Sequence, residues 1–160
     1  MRHTSRAARI LAPVVGAACL LLPATAASAD PPGNNGTVKI GEVDVDVTNA
    51  NDPHVECIFE LRFFGFDEGQ TATITFSIHP PSGSPTELFS ETTEISDDPA
   101  GGGQDLDAVL EFNGADFGLE NFTAHPKQGF HVKLDILTDD GGVKHKVFWL
   151  DCEKKHCPKD

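Results

Sequence analysis

The stretch GFHVKLDILTDDGGVKHKVFWLDC, residues 129–152, decides the fold because it predicts a β-hairpin that ends in a cysteine. Both halves are rich in β-branched and apolar residues, and the turn-forming sequence Asp-Asp-Gly-Gly separates them. If Thr138 lies opposite Val143, then Val132 faces Trp149 across the hairpin on the buried side. The predicted hairpin therefore closes the domain and directs Trp149 into its core.

The cysteine that ends the hairpin conflicts with this pairing. Cys152 has the same parity as Phe148 and Leu150, which the pairing places on the outer face. Three explanations are open at this point. A β-bulge shifts the strand before Cys152, or Cys152 lies beyond the end of the strand, or the register is wrong and Phe148 and Leu150 face inward.

The rest of the chain has the period-two alternation of half-buried strands. In TATITFSI, residues 71–78, apolar residues alternate with Thr and Ser, and HVECIFELRFF, residues 54–64, predicts a strand with Cys57 on its apolar face. Turn-forming residues recur roughly every 8–12 residues, and no segment has a convincing helical pattern. About seven strands are expected, which predicts an all-β, antiparallel, immunoglobulin-like β-sandwich. A β-barrel is the alternative.

The N-terminus predicts a secretory signal peptide over residues 1–29. A basic start, an apolar run over residues 10–22 and the small residues Ala27-Ser28-Ala29 are its three parts. Lipidation at Cys19 is a weaker alternative, because leucines continue the apolar run beyond it. After cleavage we expect three further segments: a flexible leader over 30–36, the β-sandwich domain over 37–152 and a C-terminal tail over 153–160.

The charge of the chain restricts its partners. The signal segment holds three of the 12 Lys and Arg and none of the 25 Asp and Glu, so the rest of the chain has a formal charge of −16. Nucleic acids and anionic lipids carry the same sign, which disfavours both as partners. We expect a secreted, extracellular protein that has no membrane attachment after signal cleavage and binds an unknown extracellular partner.

Three cysteines remain after cleavage, and an oxidising compartment favours a disulfide among them. Cys57 lies within an apolar strand and Cys152 ends another, so we predict a Cys57–Cys152 bridge with Trp149 packed near it. Cys157 is then a free thiol or links two chains, which makes the protein a monomer or a disulfide-linked dimer. A Cys152–Cys157 bridge with Cys57 free is the alternative.

No catalytic motif is present, and we predict no catalytic residue, no cofactor and no metal site. A secreted metal-binding protein that uses Cys152, His156 and Cys157 is the alternative function. A hydrolase would require a pocket that brings His131 to a carboxylate. The prolines after His79 and His125 predict ordinary loop positions for both histidines.

Several sequence segments resemble those of a family of secreted actinobacterial proteins that has no assigned activity. Among these segments are NDPHVECIFELRFFGFDEGQ and HPKQGFHVKLDI. The resemblance covers nearly all of the chain after the signal segment. It implies secretion and a β-rich domain, and it supplies no catalytic residues. The sequence therefore predicts a secreted, non-enzymatic extracellular or cell-surface β-sandwich module with a binding or structural role.

Overall fold

Strands make up nearly all of the regular structure in a computed structural model that describes residues 36–43, 50–101 and 105–152. The described segments contain eight strands: β1 Thr37–Glu42, β2 His54–Glu56, β3 Ile58–Phe64, β4 Thr71–Ile78, β5 Thr86–Glu94, β6 Leu106–Asn113, β7 Phe130–Thr138 and β8 Val143–Asp151. Two short 3-10 turns, Gly114–Phe117 and Leu119–Asn121, connect β6 to β7. Within these segments no helix is long and apolar enough to cross a bilayer. The predicted signal peptide and the tail with His156 and Cys157 lie outside the described residues.

The strands form two sheets that pack face to face. One sheet has the order β1-β3-β6, and the other has the order β2-β8-β7-β4-β5. Neighbouring strands are antiparallel except for β2 and β8, which are parallel. In an immunoglobulin domain, strands A, B and E share one sheet and strands C, F and G share the other. Here β1, β3 and β6 correspond to the first set and β4, β7 and β8 to the second, which confirms the immunoglobulin-like sandwich. No closed barrel forms among the described strands.

The strand predicted over residues 54–64 is two strands that belong to different sheets. β2 pairs with β8, whereas β3 pairs with β1 and β6. Cys57 lies between β2 and β3, at the point where the chain crosses from one sheet to the other. The apolar alternation continues through this crossing because both strands border the same core, so the pattern alone gave no sign of the break.

Phenylalanines fill the centre of the sandwich. Phe59 from β3 and Phe76 from β4 have no exposed surface, and their rings meet edge to face with centroids 5.7 Å apart. Phe112, Phe117 and Phe148 also contact Phe59. Burying a phenylalanine side chain contributes roughly 1.5–3 kcal/mol, and edge-to-face pairs add to this. This aromatic cluster is therefore the main cohesive contact between the two sheets.

The predicted hairpin register is wrong by one residue. Val132 lies opposite Phe148, and Trp149 lies opposite His131 on the outer face. The Thr138 N–H donates to the Gly142 carbonyl at 2.9 Å, so Thr138 lies opposite Gly142 instead of Val143, and the turn between them has three residues, one fewer than expected. Four successive apolar residues, Val-Phe-Trp-Leu, end β8, so hydrophobicity alone did not determine which of them face the core. The observed register removes the parity conflict, since Cys152 now follows the inward-facing side of the strand.

The structure contains a disulfide between Cys57 and Cys152, the pairing that the sequence favours, with their Cα atoms 4.4 Å apart. It joins the crossing point between the sheets to the end of β8. Gly114 allows this close approach, because a Cβ atom there would lie 2.7 Å from the Cys152 sulfur. The expected packing of Trp149 near the bridge is wrong, since its side chain leaves the opposite face of β8.

Candidate functional site

Four histidines and the single tryptophan form one cluster on the outer face of the five-stranded sheet. We call this group the histidine–tryptophan patch and define it as His54, His79, His125, His131 and Trp149. His54 on β2 and His131 on β7 are the cross-strand neighbours of Trp149 on β8. Their rings stack beside the indole with centroids 6.5 and 4.5 Å away and interplanar angles of 11° and 28°. The indole therefore stands between two imidazoles in a row across three strands.

The other two histidines reach the patch from loops. His79 directly follows β4, and its N–H donates to the His131 carbonyl at 2.8 Å, which brings the two rings to a centroid distance of 5.1 Å. His125 exchanges backbone hydrogen bonds with Gly129, and its ring lies 5.6 Å from that of Trp149. Both histidines precede a proline in a loop, as predicted, but the fold converts these separate loop positions into one cluster.

Gly129 lets the His125 loop press against β8. Its φ is +78°, and a Cβ atom there would lie 2.2 Å from the Leu150 carbonyl oxygen. A side chain at this position would push the loop away from β8. The place of His125 in the patch therefore depends on this glycine.

Hydrogen bonds assign the proton on His131 and orient the rings of His125 and His54. The His131 Nδ1 atom lies 2.6 Å from the Pro80 carbonyl oxygen, and a carbonyl only accepts, so Nδ1 carries the hydrogen. The lone pair of a neutral His131 is therefore on Nε2. His125 Nδ1 accepts from the Lys127 N–H at 3.3 Å, and the His54 ring contacts the Gln128 side-chain amide at 3.4 Å. The patch thus offers imidazole nitrogens with defined orientations next to an aromatic ring.

The same outer face carries a separate charged group beside the patch. Asp135 on β7 contacts Lys133 at 2.9 Å and also pairs with His145 on β8. Partial burial raises the pKa of Asp135, but the hydrogen bonds from Lys133 and His145 outweigh it and hold the pKa below its usual value. The hydrolase hypothesis required His131 beside a carboxylate. Among the described residues, the histidine that has a carboxylate partner is His145.

A cavity of about 470 Å³ lies beside the disulfide and is strongly acidic. Its walls include Cys57 and Ile58 and four carboxylates, those of Glu42, Glu56, Glu111 and Asp151. The Glu42 carboxylate also accepts a hydrogen bond from the Glu56 N–H at 2.8 Å, so part of its role is to hold β2 near β1. This cavity could accommodate a cationic group, but its carboxylates are also explained by the general acidity of the chain.

A second acidic group lies at the opposite end of β6. Carboxylate oxygens of Asp98, Asp105 and Asp107 lie within 4.8 Å of one another. Burial raises the pKa of Asp107, although its carboxylate accepts hydrogen bonds from the Phe66 N–H at 2.9 Å and the Ser96 hydroxyl at 3.3 Å. These bonds tie β6 to the loops around it, so a structural role accounts for Asp107.

Local sequence patterns did not predict that the patch residues come together. The predicted register placed Trp149 in the core and Phe148 on the outer face. Phe148 is buried, and the exposed apolar side chains of the hairpin are Leu137, Val143 and Val147. The one available signal was the parity of Cys152, for which a register with Trp149 outside was one of the three open explanations. Compared with protein-family models, with curated proteins and with solved structures, the chain gives no significant match.

Proposed function

We propose that this chain is a secreted, non-enzymatic extracellular or cell-surface module that binds a partner through the histidine–tryptophan patch. The observation that carries the proposal is the outward position of Trp149 with three imidazole neighbours, His54, His125 and His131, and with His79 against His131. Tryptophan is enriched among the residues that dominate binding energy, because it combines a large apolar area with a polar N–H group. A patch that combines this ring with several hydrogen-bonding nitrogens is better suited to binding a partner than to packing in a protein core.

Three features support an extracellular location. The first 29 residues have the composition of a signal peptide, and Cys57 and Cys152 form a disulfide that an oxidising compartment maintains. The formal charge of −16 after cleavage favours solubility outside the cell. The same charge disfavours nucleic acids and anionic membranes as partners. Monomeric protein, or a dimer linked through Cys157, fits this proposal equally well.

The contacts within the patch support binding rather than catalysis. The His131 Nδ1 hydrogen goes to a backbone carbonyl, and His54 contacts a side-chain amide. A general base is normally oriented by a carboxylate or a similar partner next to a nucleophile. The alternative function, metal binding by the C-terminal residues, loses one of its three ligands, because the Cys152 sulfur is bonded to Cys57.

Cell fractionation and co-sedimentation test the proposal together. We expect the chain in the culture medium or at the cell surface, without residues 1–29 and with one intramolecular disulfide by intact mass. Purified cell-wall fragments are the binding probe, and Trp149→Ala should reduce co-sedimentation, whereas Val147→Ala on the same strand face should not. Detection of the unprocessed chain in the cytoplasm with free thiols would contradict secretion. Equal co-sedimentation of both variants with the wild type would show that the patch is not the binding surface.

A further inference from the structure

His79 and His131 have the separation of two imidazoles that share a metal ion. Their ring centroids are 5.1 Å apart, with an interplanar angle of 60°. Zinc–nitrogen bonds are about 2.0–2.1 Å long, and tetrahedral geometry then places two ligating imidazole centroids roughly 5 Å apart. The observed distance leaves room for one ion between the rings without a change in the backbone.

The protonation of His131 suits a metal ligand. Its Nδ1–H donates to the Pro80 carbonyl, which leaves the Nε2 lone pair available. Metal-ligating histidines commonly donate their other ring N–H to a carbonyl or carboxylate, and this bond fixes the ring and increases its basicity. His79 complements this arrangement, because within the described residues no hydrogen bond engages either of its ring nitrogens.

Backbone hydrogen bonds hold both histidines in one rigid unit. The His79 N–H donates to the His131 carbonyl at 2.8 Å, and the Ser82 N–H donates to the His79 carbonyl at 3.0 Å. The buried Ser82 hydroxyl in turn accepts from the His131 N–H at 2.8 Å. The backbones of both histidines and the His131 ring are thus positioned before any ligand arrives, which lowers the entropic cost of binding.

The donor set indicates which ions would bind. No third His, Cys, Asp or Glu of the described residues completes a group with this pair in which all donor atoms lie within 4.8 Å. Both rings are half-exposed, so water or a partner's donor can fill the remaining coordination positions. Neutral imidazole suits copper, zinc and nickel, and the affinity order of divalent ions places Cu²⁺ above Ni²⁺ and Zn²⁺. Calcium and magnesium require several oxygen ligands and do not fit this pair.

We propose that His79 and His131 form a binding site for a divalent transition-metal ion, with Cu²⁺ preferred over Zn²⁺. The proposal rests on the assignment of the histidine–tryptophan patch as the binding surface, and it names the ligand class of one part of that patch. The ion would lie on the side of His131 that faces away from the Pro80 carbonyl. It would leave coordination positions open toward solvent, where a partner could supply a donor.

Trp149 provides a built-in reporter for this site. It is the only tryptophan in the chain, and its ring stacks on His131 at 4.5 Å. Titration of the purified protein with Cu²⁺ should quench its fluorescence with a stoichiometry of one, and calorimetry should give the same stoichiometry. Zn²⁺ in excess should reverse the quenching by competition, whereas Ca²⁺ and Mg²⁺ should have no effect.

Variants locate the site within the chain. His79→Ala and His131→Ala should each weaken Cu²⁺ binding at least about tenfold, as expected for loss of a metal ligand. His145→Ala is the matched control, because His145 lies on the same outer face and pairs with Asp135 instead. Deletion of residues 153–160 should leave the affinity unchanged. Thermal unfolding of each variant verifies its fold, and His79→Ala is the safer test because His79 lies in a loop.

The results of these experiments distinguish failure of the metal site from failure of the proposed function. Unchanged Cu²⁺ affinity in folded His79→Ala and His131→Ala would overturn the metal site, and loss of binding on deletion of residues 153–160 would assign the metal to the tail. If wall fragments still bind in the presence of a chelator and the protein does not bind Cu²⁺, only the metal inference is overturned. Conversely, Cu²⁺ binding to a chain that binds no wall fragment would keep the metal site and count against the proposed surface role.

Discussion

Removal of the disulfide tests how much of the stability comes from restricting the unfolded chain. The double substitution Cys57→Ala and Cys152→Ala opens a loop whose ends are 95 residues apart in sequence. The chain-entropy relation gives a loss of about 4.7 kcal/mol for a loop of this length. Alanine in place of a half-buried sulfur removes little apolar contact, so the entropic effect should dominate.

Urea unfolding of the oxidised wild type and the double variant measures this loss directly. We expect the free energy of unfolding to fall by about 4–5 kcal/mol, which corresponds to a drop in Tm of roughly 15–20 °C. Wild type reduced with a thiol should unfold like the double variant, and Cys157→Ala should match the oxidised wild type. A loss below about 1 kcal/mol at an unchanged denaturant slope would refute the reasoning, because it would mean that residual structure already keeps these two points close in the unfolded ensemble.

Three further substitutions test the core, the hairpin contact and the outer face. Phe76→Ala should lower the free energy of unfolding by about 3–5 kcal/mol in urea, since Phe76 is fully buried at the centre of the aromatic cluster. Gly129→Ala should cost at least twice as much as Gly141→Ala by thermal unfolding, because both glycines have positive φ but only Gly129 lies against a neighbouring carbonyl; equal losses would contradict the steric explanation. Asp135 has a lowered pKa in the folded state, so its stabilising contribution is present above its unfolded pKa of about 3.9 and is lost as the pH falls through the folded value. The Tm values of wild type and Asp135→Asn should therefore differ near pH 6 and converge near pH 2. A difference in Tm that stays constant over this range would show that proton linkage is not involved.

Periodicity predicted the strands well where each strand has one wet face. In β4 the apolar residues are buried, and the threonines between them lie on the outer face. The same rule failed at the end of β8, where Val147, Phe148, Trp149 and Leu150 are all apolar and either parity satisfies it. The pairing with β7 resolved this, because Phe148 meets the aromatic cluster and Trp149 does not. A register difference of one residue moved the key aromatic residue of the candidate site from the core to the surface.

By itself, the sequence predicted an all-β domain, favoured a sandwich over a barrel, and favoured Cys57 and Cys152 as the disulfide pair. These properties follow from local alternation, turn-forming residues and the position of each cysteine in an apolar strand. Only the tertiary structure decided that the early strand divides at Cys57 between two sheets and that His54, His79, His125 and His131 form one patch with Trp149. Residues 54 and 149 lie near opposite ends of the domain in sequence and meet through strand pairing. Contacts between residues so far apart in sequence depend on register and sheet order, which local patterns do not encode.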